Sequence, residues 1–592
     1  MNTINNRILE SMNRNSERVA IEYMGLKITY DELHKAIQNL SVQIQSLSNI
    51  KNKIVVIDIA SPVKHIISQL AVLFNGGICL PIDSSIPIEY YALDRVENIA
   101  CLIGDEAIEG VEGFTIQVPE LDQLLCAPSR LTNDVFDIEN VYSYCFMTSG
   151  TTNHPKLISL SQNAILNQVE EKISLLQIDS TSKIYYSMNF SFVASLWQFM
   201  APLFVGGTVV LATEHELQNP YEVFLNAVQY KASILCVVPS ALKVFFLQNK
   251  KDRKIKLKGI ETLVLTGELL ESNIVKCFLH EFPNVTVVNA YGQTETSDDI
   301  FHYVVPKDFD YEKNKIIPIG FPIKNIRYVI VDDTGEAVEN ENLKGELCIS
   351  GTCIGEKNCN LFQKLIQIDG ETFYCTGDVV SKTKEGLVIC YGRKDHQIKI
   401  HGQRIQPEHI EVVSTGYPGI KDAIAIKIEQ PTSEYIHLQY ELESDYRIDV
   451  RGFRDYLAAN LPSYMVPAII TRTNQIPYNN HGKKIRNLRM REIENCDGFN
   501  SQDTILNLDS MKALVCTLIR RIKGISNGQR MKYGDYQLEI LNSLEFVNLL
   551  VQLEEILKIE VDVNKFYLGA FANFDIFIEY LLTEYKKGGG KR

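Results

Sequence analysis

The first 390 residues or so alternate short apolar runs with longer amphipathic stretches. The runs are rich in β-branched residues and are bounded by turn or helix-cap residues; they are KIVVIDIA (53–60), TVVLAT (208–213), ASILCVVP (232–239), TLVLTG (262–267) and VTVVNAYG (285–292). Buried runs that alternate with helices are typical of parallel sheets covered by helices. The pattern therefore predicts an α/β fold for the larger part of the chain.

The pattern changes after residue 320. Strands punctuated by Gly and Asp predict a strand-rich subdomain with hairpins in IRYVIVDDTGEAV (326–338), GELCISG (345–351) and LVICYGRKD (387–395). A smaller α/β unit follows from about 396 to 490, and the polar segment 491–508 is typical of a linker. Two helical patterns at 511–525 and 543–559 then predict a small helical bundle; in the second, Leu544, Val547, Leu550, Val551 and Leu553 recur near helical spacing.

Composition narrows the classes of protein to which this chain can belong. The 592 residues are 45% apolar and 22% charged, which is ordinary globular usage and excludes a disordered chain. The net charge of −14 argues against a general binder of nucleic-acid backbones. The 13 cysteines form no Cys-x-x-Cys pair, the N-terminus has no signal-peptide core, and no apolar run reaches about 18 residues. We expect a reduced, cytoplasmic protein with neither nucleic-acid nor membrane partners.

The densest chemical signal is the stretch YCFMTSGTTNHPK, from Tyr144 to Lys156. An apolar run there opens into a loop rich in hydroxyl groups, with one Gly and one Lys. Backbone N–H groups, hydroxyls and a Lys ammonium in such a loop can hold a polyphosphate. The loop lacks the Walker pattern G-x-x-x-x-G-K-[ST], so it indicates a phosphate site of another kind, with a simple capped turn as the alternative.

Further motifs accompany this loop along nearly the whole chain. They are ITYDEL (28–33), LFNGGICLPIDSSIP (73–87), FVASLWQ (192–198), NAYGQTET (289–296), GELCISG (345–351), YCTGD (374–378), GRKDHQIKIHGQRI (392–405), LPSYMVP (461–467) and HGKKIRN (481–487). In this order they resemble the motifs of the adenylate-forming superfamily, which includes nonribosomal peptide synthetase adenylation domains, acyl-CoA synthetases and luciferases.

The resemblance implies a domain organisation. Residues 1–394 would form the large adenylation core, with two parallel-type sheets and a strand-rich, barrel-like subdomain. Residues 395–490 would form a small mobile α+β subdomain, 491–508 the linker, and 509–588 an all-α carrier-protein four-helix bundle. The hinge would be Asp395, and rotation about it would swing the loop Lys399–Arg404 over the site for thioester formation, with Gly402 leaving room for the thiol arm.

The resemblance also implies an ATP site. The loop over the phosphates would consist of Thr148, Ser149, Gly150, Thr151, Thr152 and Lys156. Asn289 would meet the adenine edge, and Tyr291 would stack on its face. Asp378 would accept hydrogen bonds from both ribose hydroxyls, and Arg393 would support the same nucleotide.

Three further residues would serve the transfer of the adenylyl group. Thr294 would lie near the phosphates, Glu295 would bind Mg²⁺, and Lys483 would bridge the acid and ATP in the transition state. Attack of a carboxylate on the α-phosphorus brings two anions together, so cations and oriented N–H groups must offset the repulsion. Lys484 is the alternative to Lys483, and we favour Lys483 because the family's Asn-Gly-Lys stands here as His-Gly-Lys.

Several positions depart from the family pattern. Asn153 and Leu157 replace glycines in and after the loop, Gln293 replaces a usual Pro, Cys375 stands where Arg is common, and His409 replaces a usual Glu. These departures keep open a degenerate binding scaffold without catalysis. Retention of Lys483, Glu295 and Asp378 favours an enzyme, namely an ATP-dependent acid–thiol ligase that forms AMP.

The segment around Ser543 resembles the acceptor site of peptidyl and acyl carrier proteins. Ser543 aligns with the serine that receives 4′-phosphopantetheine, and Asn542 replaces the usual Asp before it. A hydroxyl at a helix N-terminus suits a phosphodiester because the helix end favours anions, although Asn-Ser is also an ordinary helix cap. The implied partners are a phosphopantetheinyl transferase and a downstream condensation, transferase or tailoring enzyme. An acyl-CoA ligase with an unrelated helical tail is the alternative.

The acid to be activated is constrained by the pocket positions. By alignment with the family, the pocket would be lined by Phe192, Val193, Ala194, Trp197, Cys236, Val264, Thr266, Ala290, Asp298 and Asp299, with Lys483 at the substrate carboxylate. Val193 replaces the Asp that pairs with an α-ammonium in relatives, and a Val cannot stabilise a buried ammonium. Two carboxylates at 298–299 favour a distal cation. The pattern resembles β-alanine-activating domains and predicts a β- or other ω-amino acid; a hydroxy, keto, basic α-amino or aryl acid remains open.

Overall fold

The computed structural model describes residues 3–476 except 85, 87, 106–114, 127–140, 149–155, 218, 253–255, 333, 339, 342, 355–364, 395–397, 401–402, 431–432, 444–445, 447 and 474–475, and after them only residues 484, 553, 578 and 581. The chain divides into two compact units, Met1–Gln406 and Pro407–Arg592. Each unit is described by itself.

The helices are α1 (Ile4–Arg14), α2 (Tyr30–Leu47), α3 (Pro62–Phe74), α4 (Leu121–Cys126), α5 (Gln162–Leu176), α6 (Ser195–Val205), α7 (Glu214–Leu217), α8 (Pro220–Gln229), α9 (Pro239–Asp252), α10 (Ser272–Glu281), α11 (Pro407–Thr415) and α12 (Val450–Asn460). The ITYDEL motif starts α2 with a capping box. There the Thr29 hydroxyl accepts from the Glu32 N–H at 3.2 Å, and the Glu32 carboxylate accepts from the Thr29 N–H at 2.8 Å.

The strands are β1 (Val19–Tyr23), β2 (Leu26–Thr29), β3 (Ile54–Asp58), β4 (Ile78–Pro81), β5 (Ile99–Gly104), β6 (Thr115–Gln117), β7 (Tyr142–Thr148), β8 (Lys156–Ser161), β9 (Lys183–Tyr186), β10 (Thr208–Leu211), β11 (Ile234–Val237), β12 (Thr262–Leu265), β13 (Thr286–Gln293), β14 (Asp298–Val304), β15 (Phe321–Pro322), β16 (Ile326–Val331), β17 (Gly345–Gly351), β18 (Leu365–Ile368), β19 (Glu371–Lys382), β20 (Val388–Arg393), β21 (Ile398–Ile400), β22 (Gln403–Ile405), β23 (Ile420–Gln430), β24 (Ser433–Leu442) and β25 (Ile469–Arg472). All five apolar runs singled out in the sequence contain one of these strands.

Two large sheets form the core of the larger unit. One has nine strands in the order β15-β14-β13-β12-β11-β9-β10-β1-β2, and the other has six in the order β6-β5-β3-β4-β7-β8. Their central strands are parallel, as predicted, but β2, β14, β15 and β8 are antiparallel to their neighbours, so both sheets are mixed. Antiparallel edge strands are common on otherwise parallel sheets. The predicted α/β fold of this unit is confirmed.

The strand-rich region after residue 320 is an antiparallel sheet. Its order is β16-β17-β19-β18, and β20 also pairs with the long strand β19. The pairings among the described residues leave this sheet open instead of closing it as the predicted barrel-like subdomain. Strands β21 and β22 form a separate hairpin at the end of the larger unit.

The described part of the smaller unit contains α11, α12 and a three-stranded sheet. Strand β24 is antiparallel to β23 and parallel to β25. The predicted linker and most of the predicted carrier bundle lie outside the described residues. Within the carrier segment Leu553, Ile578 and Leu581 are helical and buried, as the periodicity predicted for Leu553. In the part of the chain that the structure describes, no helix is both long and apolar enough to cross a membrane.

Candidate functional site

The flanks of the hydroxyl-rich loop lie at the edge of the six-stranded sheet. Strands β7 and β8 are antiparallel, with Thr148 opposite Lys156, and the Thr148 hydroxyl donates to the Lys156 carbonyl at 3.5 Å. The hairpin therefore brings these two predicted phosphate ligands together. Ser149, Gly150, Thr151, Thr152 and Asn153 lie outside the described residues, so their roles stay predictions.

A buried carboxylate, Asp378 on β19, is the centre of the predicted nucleotide site. The side chain receives three donors: the Tyr291 hydroxyl at 2.5 Å, the Gln293 amide at 2.6 Å and the Arg393 guanidinium at 3.5 Å. Arg393 is directly opposite Asp378 in the β19–β20 pair, and Asp378 is only 3% exposed. Burial and the Asp378 charge raise the pKa of Tyr291 well above its usual range, so Tyr291 stays a proton donor.

The segment of β19 that precedes Asp378 is held by the same residues. The Thr376 carbonyl accepts from the Gln293 amide and from Arg393, both at 3.1 Å. The Thr376 hydroxyl accepts from the Asp378 N–H at 3.1 Å. Sequence reasoning recorded Gln293 only as a departure from the family, although Tyr291 and Gln293 are two apart on one strand and so share a face. That spacing was the available signal for this contact.

Asn289 and Tyr291, the predicted adenine contacts, lie on β13. The Asn289 amide donates to the carbonyls of Ile317 and Pro318 at 3.2 and 2.8 Å, which fixes its orientation. The Tyr291 ring meets Phe301 edge-on, with centroids 6.1 Å apart. Contact with adenine stays a prediction for both.

Glu295, the predicted Mg²⁺ ligand, lies in a short 3₁₀ helix, Thr294–Thr296, directly after β13. It is buried. The described residues contain no group of three His, Cys, Asp or Glu side chains suited to a metal ion. A single carboxylate still fits Mg²⁺ in this setting, because Mg²⁺ commonly binds one or two carboxylates together with substrate phosphates and water.

The predicted acid pocket lies at the carboxyl ends of three parallel strands. Cys236 on β11 is opposite Val264 on β12, Thr266 follows β12 directly, and Ala290 is on β13. Val193 and Ala194 immediately precede α6, the helix that carries Trp197. Ligands of open α/β sheets commonly bind at such carboxyl ends. Phe192 precedes this group, and its N–H donates to the Asn189 carbonyl.

Asp299 on β14 is already paired within the protein. The ammonium of Lys172, on α5, donates to one Asp299 oxygen at 2.6 Å, and the Thr266 hydroxyl donates to the other at 2.5 Å. Lys172 is fully buried, with its ammonium 5.0 Å from the centre of the Trp197 ring. Burial alone would lower the pKa of Lys172, but the charges of Asp299 and Asp298 raise it above its ordinary value. Lys172 therefore carries its charge beside Asp299 and Trp197, two residues of the predicted pocket.

Sequence reasoning missed Lys172 and left both Asp298 and Asp299 open to a substrate cation. The structure changes that interpretation, because a resident ammonium already binds Asp299. A signal did exist in the pattern: the buried face of α5 contains Ile165, Val169 and Leu176 at helical spacing, and Lys172 lies on that face. A Lys on an apolar helix face calls for a buried anion.

Asp298 lies at a strained position beside this pair. Its φ is +96°, and that of Ser297 is +60°. The β13–β14 pairing is irregular here, and a Cβ on Gly292 would come within 1.8 Å of the Asp298 carbonyl oxygen. Only Gly fits at 292, which explains the Gly of the NAYGQTET motif. Burial, and next the charge of Asp299, raise the pKa of Asp298 well above its usual range.

In the smaller unit, the ammonium of Lys484 makes three hydrogen bonds. Its ammonium donates to Asp422 at 2.7 Å, to Glu411 at 3.2 Å and to the Ala423 carbonyl at 2.6 Å. Three donors with three acceptors make Lys484 a structural brace, which favours Lys483 as the catalytic lysine. Lys483 itself lies outside the described residues.

The remaining predicted residues are placed only in part. Lys399 on β21 is opposite Arg404 on β22 in the predicted thioester-conformation loop. Asp395, Gly402 and Ser543 lie outside the described residues, so the hinge, the thiol passage and the acceptor serine stay predictions. Cys375, a departure from the family, is opposite Cys348, with the two sulfur atoms 2.7 Å apart.

The motif order, the mixed α/β sheets and the buried Asp378 cluster define the class of adenylate-forming enzymes. The family model described as AMP-binding enzyme matches residues 8–356, and the chain belongs to this family. The protein is an AMP-forming acid ligase that uses ATP.

Curated relatives and solved structures agree with this assignment. Tyrocidine synthase 3 of Brevibacillus parabrevis is 28% identical over 489 residues, which are 80% of this chain and 7% of the relative. Zwittermicin A synthase ZmaJ of Bacillus cereus is 25% identical, over 80% of this chain and 92% of the relative. The chain thus spans less than a fifth of several curated synthetases that it matches.

A solved structure extends the likeness of fold. Holo-PA1221, described as a nonribosomal peptide synthetase protein containing adenylation and PCP domains bound to a vinylsulfonamide inhibitor, has a TM-score of 0.74 at 20% identity. The match covers 97% of this chain and 93% of that one. At this identity the likeness concerns the fold alone.

Proposed function

We propose that the protein activates a β- or other ω-amino acid as an acyl-AMP and transfers the acyl group to a 4′-phosphopantetheine arm on Ser543 of its own carrier domain, in natural-product biosynthesis. The buried Asp378 with its three donors is the observation that carries the adenylation half. The substrate class rests on Val193, which stands where relatives have an Asp, and on Asp298, whose neighbour Asp299 is already paired with Lys172.

In the first half-reaction an oxygen of the substrate carboxylate attacks the α-phosphorus of ATP. The bond from that phosphorus to the bridging oxygen breaks, and pyrophosphate leaves. Lys483 would bridge the two reacting anions, and Thr148 and Lys156 would hold the phosphates with the rest of the loop. Glu295 would hold Mg²⁺, which neutralises phosphate charge when bound. Asp378 would fix the ribose.

In the second half-reaction a thiol sulfur attacks the acyl carbonyl and AMP leaves. The phosphopantetheine arm would supply that thiol. Support for a carrier domain comes from the Ser543 motif, from the helical, buried Leu553 and from the relative PA1221, which contains adenylation and PCP domains. A phosphopantetheinyl transferase would load the arm, and a downstream condensation, transferase or tailoring enzyme would accept the product.

The amino group of the substrate is assigned by elimination. Val193 is buried and apolar, so an α-ammonium beside it would have no anion and would keep its full desolvation cost. The acidic groups of the pocket lie instead on β14, at Asp298 and Asp299. A carboxylate at one end and an ammonium at the other describe a β- or ω-amino acid.

A panel of acids in ATP–pyrophosphate exchange tests the proposal. The panel contains β-alanine, longer ω-amino acids, neutral and basic α-amino acids, and hydroxy, keto and aryl acids. We expect the highest kcat/KM with a β- or ω-amino acid. A clear preference for a neutral α-amino acid would contradict the substrate class, and no exchange with any acid would contradict catalysis and favour the degenerate scaffold.

The catalytic lysine is tested with a matched pair of neighbours. We expect Lys483→Ala to lower exchange by about 100-fold or more, because it removes a cation aimed at the transition state. ATP binding should survive in this variant. Lys484→Ala should lose the brace in the smaller unit and therefore some stability, with a smaller loss of exchange. The reverse ranking would move the catalytic role to Lys484.

The carrier half is tested by mass spectrometry. Treatment with a phosphopantetheinyl transferase and CoA should add one arm, and Ser543→Ala should not gain it. Acyl groups should then accumulate on the protein in cis. Release of free acyl-CoA with no protein-bound thioester would favour the acyl-CoA ligase instead.

A further inference from the structure

The acid pocket contains two adjacent carboxyl groups and one resident cation. Lys172 and Thr266 occupy the two oxygens of Asp299 at 2.6 and 2.5 Å. Both members of the ion pair are buried, Lys172 at 0% and Asp299 at 2% side-chain exposure. A buried pair of this kind is hard to open, because either charge left alone lacks compensation. Asp299 is therefore not available to a substrate.

Asp298 differs from its neighbour in this respect. It is buried to 5% exposure, and among the described residues no Lys, Arg or His forms an ion pair with it. One of the two adjacent carboxyl groups thus remains without a cation after the internal pairing. It can balance a single additional positive charge.

Polar atoms around Lys172 also lack partners within the described protein. Gln168, one turn before Lys172 on α5, has neither amide atom in a hydrogen bond. The same holds for Nε1 of Trp197, beneath the Lys172 ammonium, and for Nε2 of His302 on β14. All three side chains are more than nine-tenths buried. Buried polar atoms are rarely left unpaired, so this region is built to be completed by a ligand or by ordered water.

We propose that Lys172 is a positioning residue that sets the charge of the accepted acid: by binding Asp299 it leaves Asp298 to receive one substrate ammonium and excludes a second. The inference rests on the proposed function, because it assumes that this pocket receives the side of the substrate away from its carboxylate. It narrows the substrate class to acids with one ammonium group. An acid with a second ammonium away from its α-carbon is rejected because that second charge meets Lys172.

The experiment compares matched acids that differ by one ammonium group. The pairs are 4-aminobutyrate with 3,4-diaminobutyrate, and 5-aminopentanoate with 4,5-diaminopentanoate, so that the added ammonium lies away from the α-carbon in each pair. Binding is followed by the fluorescence of Trp197, the single Trp of the chain, and turnover is followed by pyrophosphate exchange. In the wild-type protein the monoamino member of a pair should be preferred.

Lys172→Met should change selectivity. Because it frees Asp299, we expect the ratio of kcat/KM for the diamino acid to that for the monoamino acid to rise by about 10-fold or more. Adding Asp299→Asn to the same chain removes the freed charge and should return the ratio to within about 3-fold of the wild-type value. An equal loss for all acids, with an unchanged ratio, would make Lys172 merely structural and overturn the proposal.

The double variant Lys172→Met/Asp299→Asn also decides the question if Lys172→Met alone does not fold. It retains Asp298, so it should still prefer an ω-amino acid to its uncharged counterpart. Asp298→Asn in the wild-type background should lose that preference by about 30-fold or more. If the double variant loses its preference for the ω-amino acid to the same extent as Asp298→Asn, the proposal that Asp298 binds the substrate and Asp299 binds Lys172 is refuted. Absence of exchange in the wild-type protein would instead refute the proposed function.

Discussion

Asp378 and Asp299 are both buried carboxylates in the larger unit, each held by one cation and by a hydroxyl donor. The cation of Asp378, Arg393, is 15 residues away and lies on the adjacent strand. The cation of Asp299, Lys172, is 127 residues away on a helix that packs against the sheet. Asp378 and Arg393 belong to recognisable motifs, whereas the Asp299 pair is created by packing alone. Motifs therefore predict the Asp378–Arg393 pair, but they do not predict that Asp299 is neutralised by Lys172.

The two sites also differ in how tightly the cation is held. The Lys172–Asp299 distance is 2.6 Å, and the Arg393–Asp378 distance is 3.5 Å. Asp378 additionally keeps the donors of Tyr291 and Gln293. We infer that Asp299 depends on its cation more strongly than Asp378 does.

Stability measurements should show this difference most clearly. We expect Lys172→Met to lower the free energy of unfolding by about 3–5 kcal/mol, because Asp299 is left buried and uncompensated. Arg393→Met should cost only about 1–2 kcal/mol, because two neutral donors still hold Asp378. Urea unfolding followed by Trp197 fluorescence reports on the unit that contains both sites.

A surface pair supplies the control for that measurement. Lys243 and Glu271 are 3.1 Å apart, with side chains 32% and 52% exposed. Lys243→Met should change the free energy of unfolding by less than about 1 kcal/mol. Equal losses in Lys172→Met and Arg393→Met would remove the distinction between the two carboxylates.

The functional separation of the two carboxylates is the next test. Asp378→Asn should raise the KM for ATP by about 100-fold, because a charged acceptor for two ribose hydroxyls is lost. The selectivity among acids should not change. Asp299→Asn should alter acid selectivity and leave the KM for ATP near its wild-type value. Pyrophosphate exchange with ATP and acid varied in turn measures both. A common effect on ATP in the two variants would mean that the sites are not separate.

A smaller effect is expected at Gln293, where relatives usually have Pro. Gln293→Met keeps the length of the side chain but removes the donor to Asp378 and to the Thr376 carbonyl. We expect the KM for ATP to rise by about 10-fold, since a hydrogen bond to a charged group is lost. The acid preference should be unchanged. An unaltered KM for ATP would show that Tyr291 and Arg393 suffice to orient Asp378.

Features that depend on local sequence patterns could be predicted from the sequence. The apolar runs predicted their strands because period and turn residues are local properties. The pairing of Thr148 with Lys156 and of Asp378 with Arg393 follows from short connections between adjacent antiparallel strands. The helical spacing around Leu553 was also readable in advance.

Other features depend on packing across long separations. The approach of Lys172 to Asp299 requires α5 to lie against the edge of the nine-stranded sheet, which no local pattern encodes. The engagement of Lys484 with Asp422 and Glu411 likewise joins residues more than 60 positions apart. Motif matching favoured Lys483 over Lys484, and the contacts of Lys484 add support for that choice.

The smallest effect concerns the pH dependence of acid binding at Asp298. Burial and the neighbouring Asp299 raise the pKa of Asp298, so the free pocket retains its proton at a pH where an ordinary Asp is ionised. A substrate ammonium binds the ionised form, and binding therefore releases a proton. Affinity for an ω-amino acid should rise with pH by at most about tenfold per unit, up to the pKa of free Asp298.

The titratable groups around Asp298 keep constant protonation states, so the pH dependence of acid binding can be assigned to Asp298. Lys172 remains charged, since the charge of Asp299 raises its pKa above the ordinary value. Burial holds the pKa of His302 well below its usual range and that of Cys236 well above it, so both stay neutral. Titration of Trp197 fluorescence upward from about pH 4, the ordinary pKa of an Asp, should show the slope in the wild-type protein and none in Asp298→Asn. A slope that persists in Asp298→Asn would place the released proton on another group, and Asp298 would then share with Asp299 the role of an internal, substrate-independent charge.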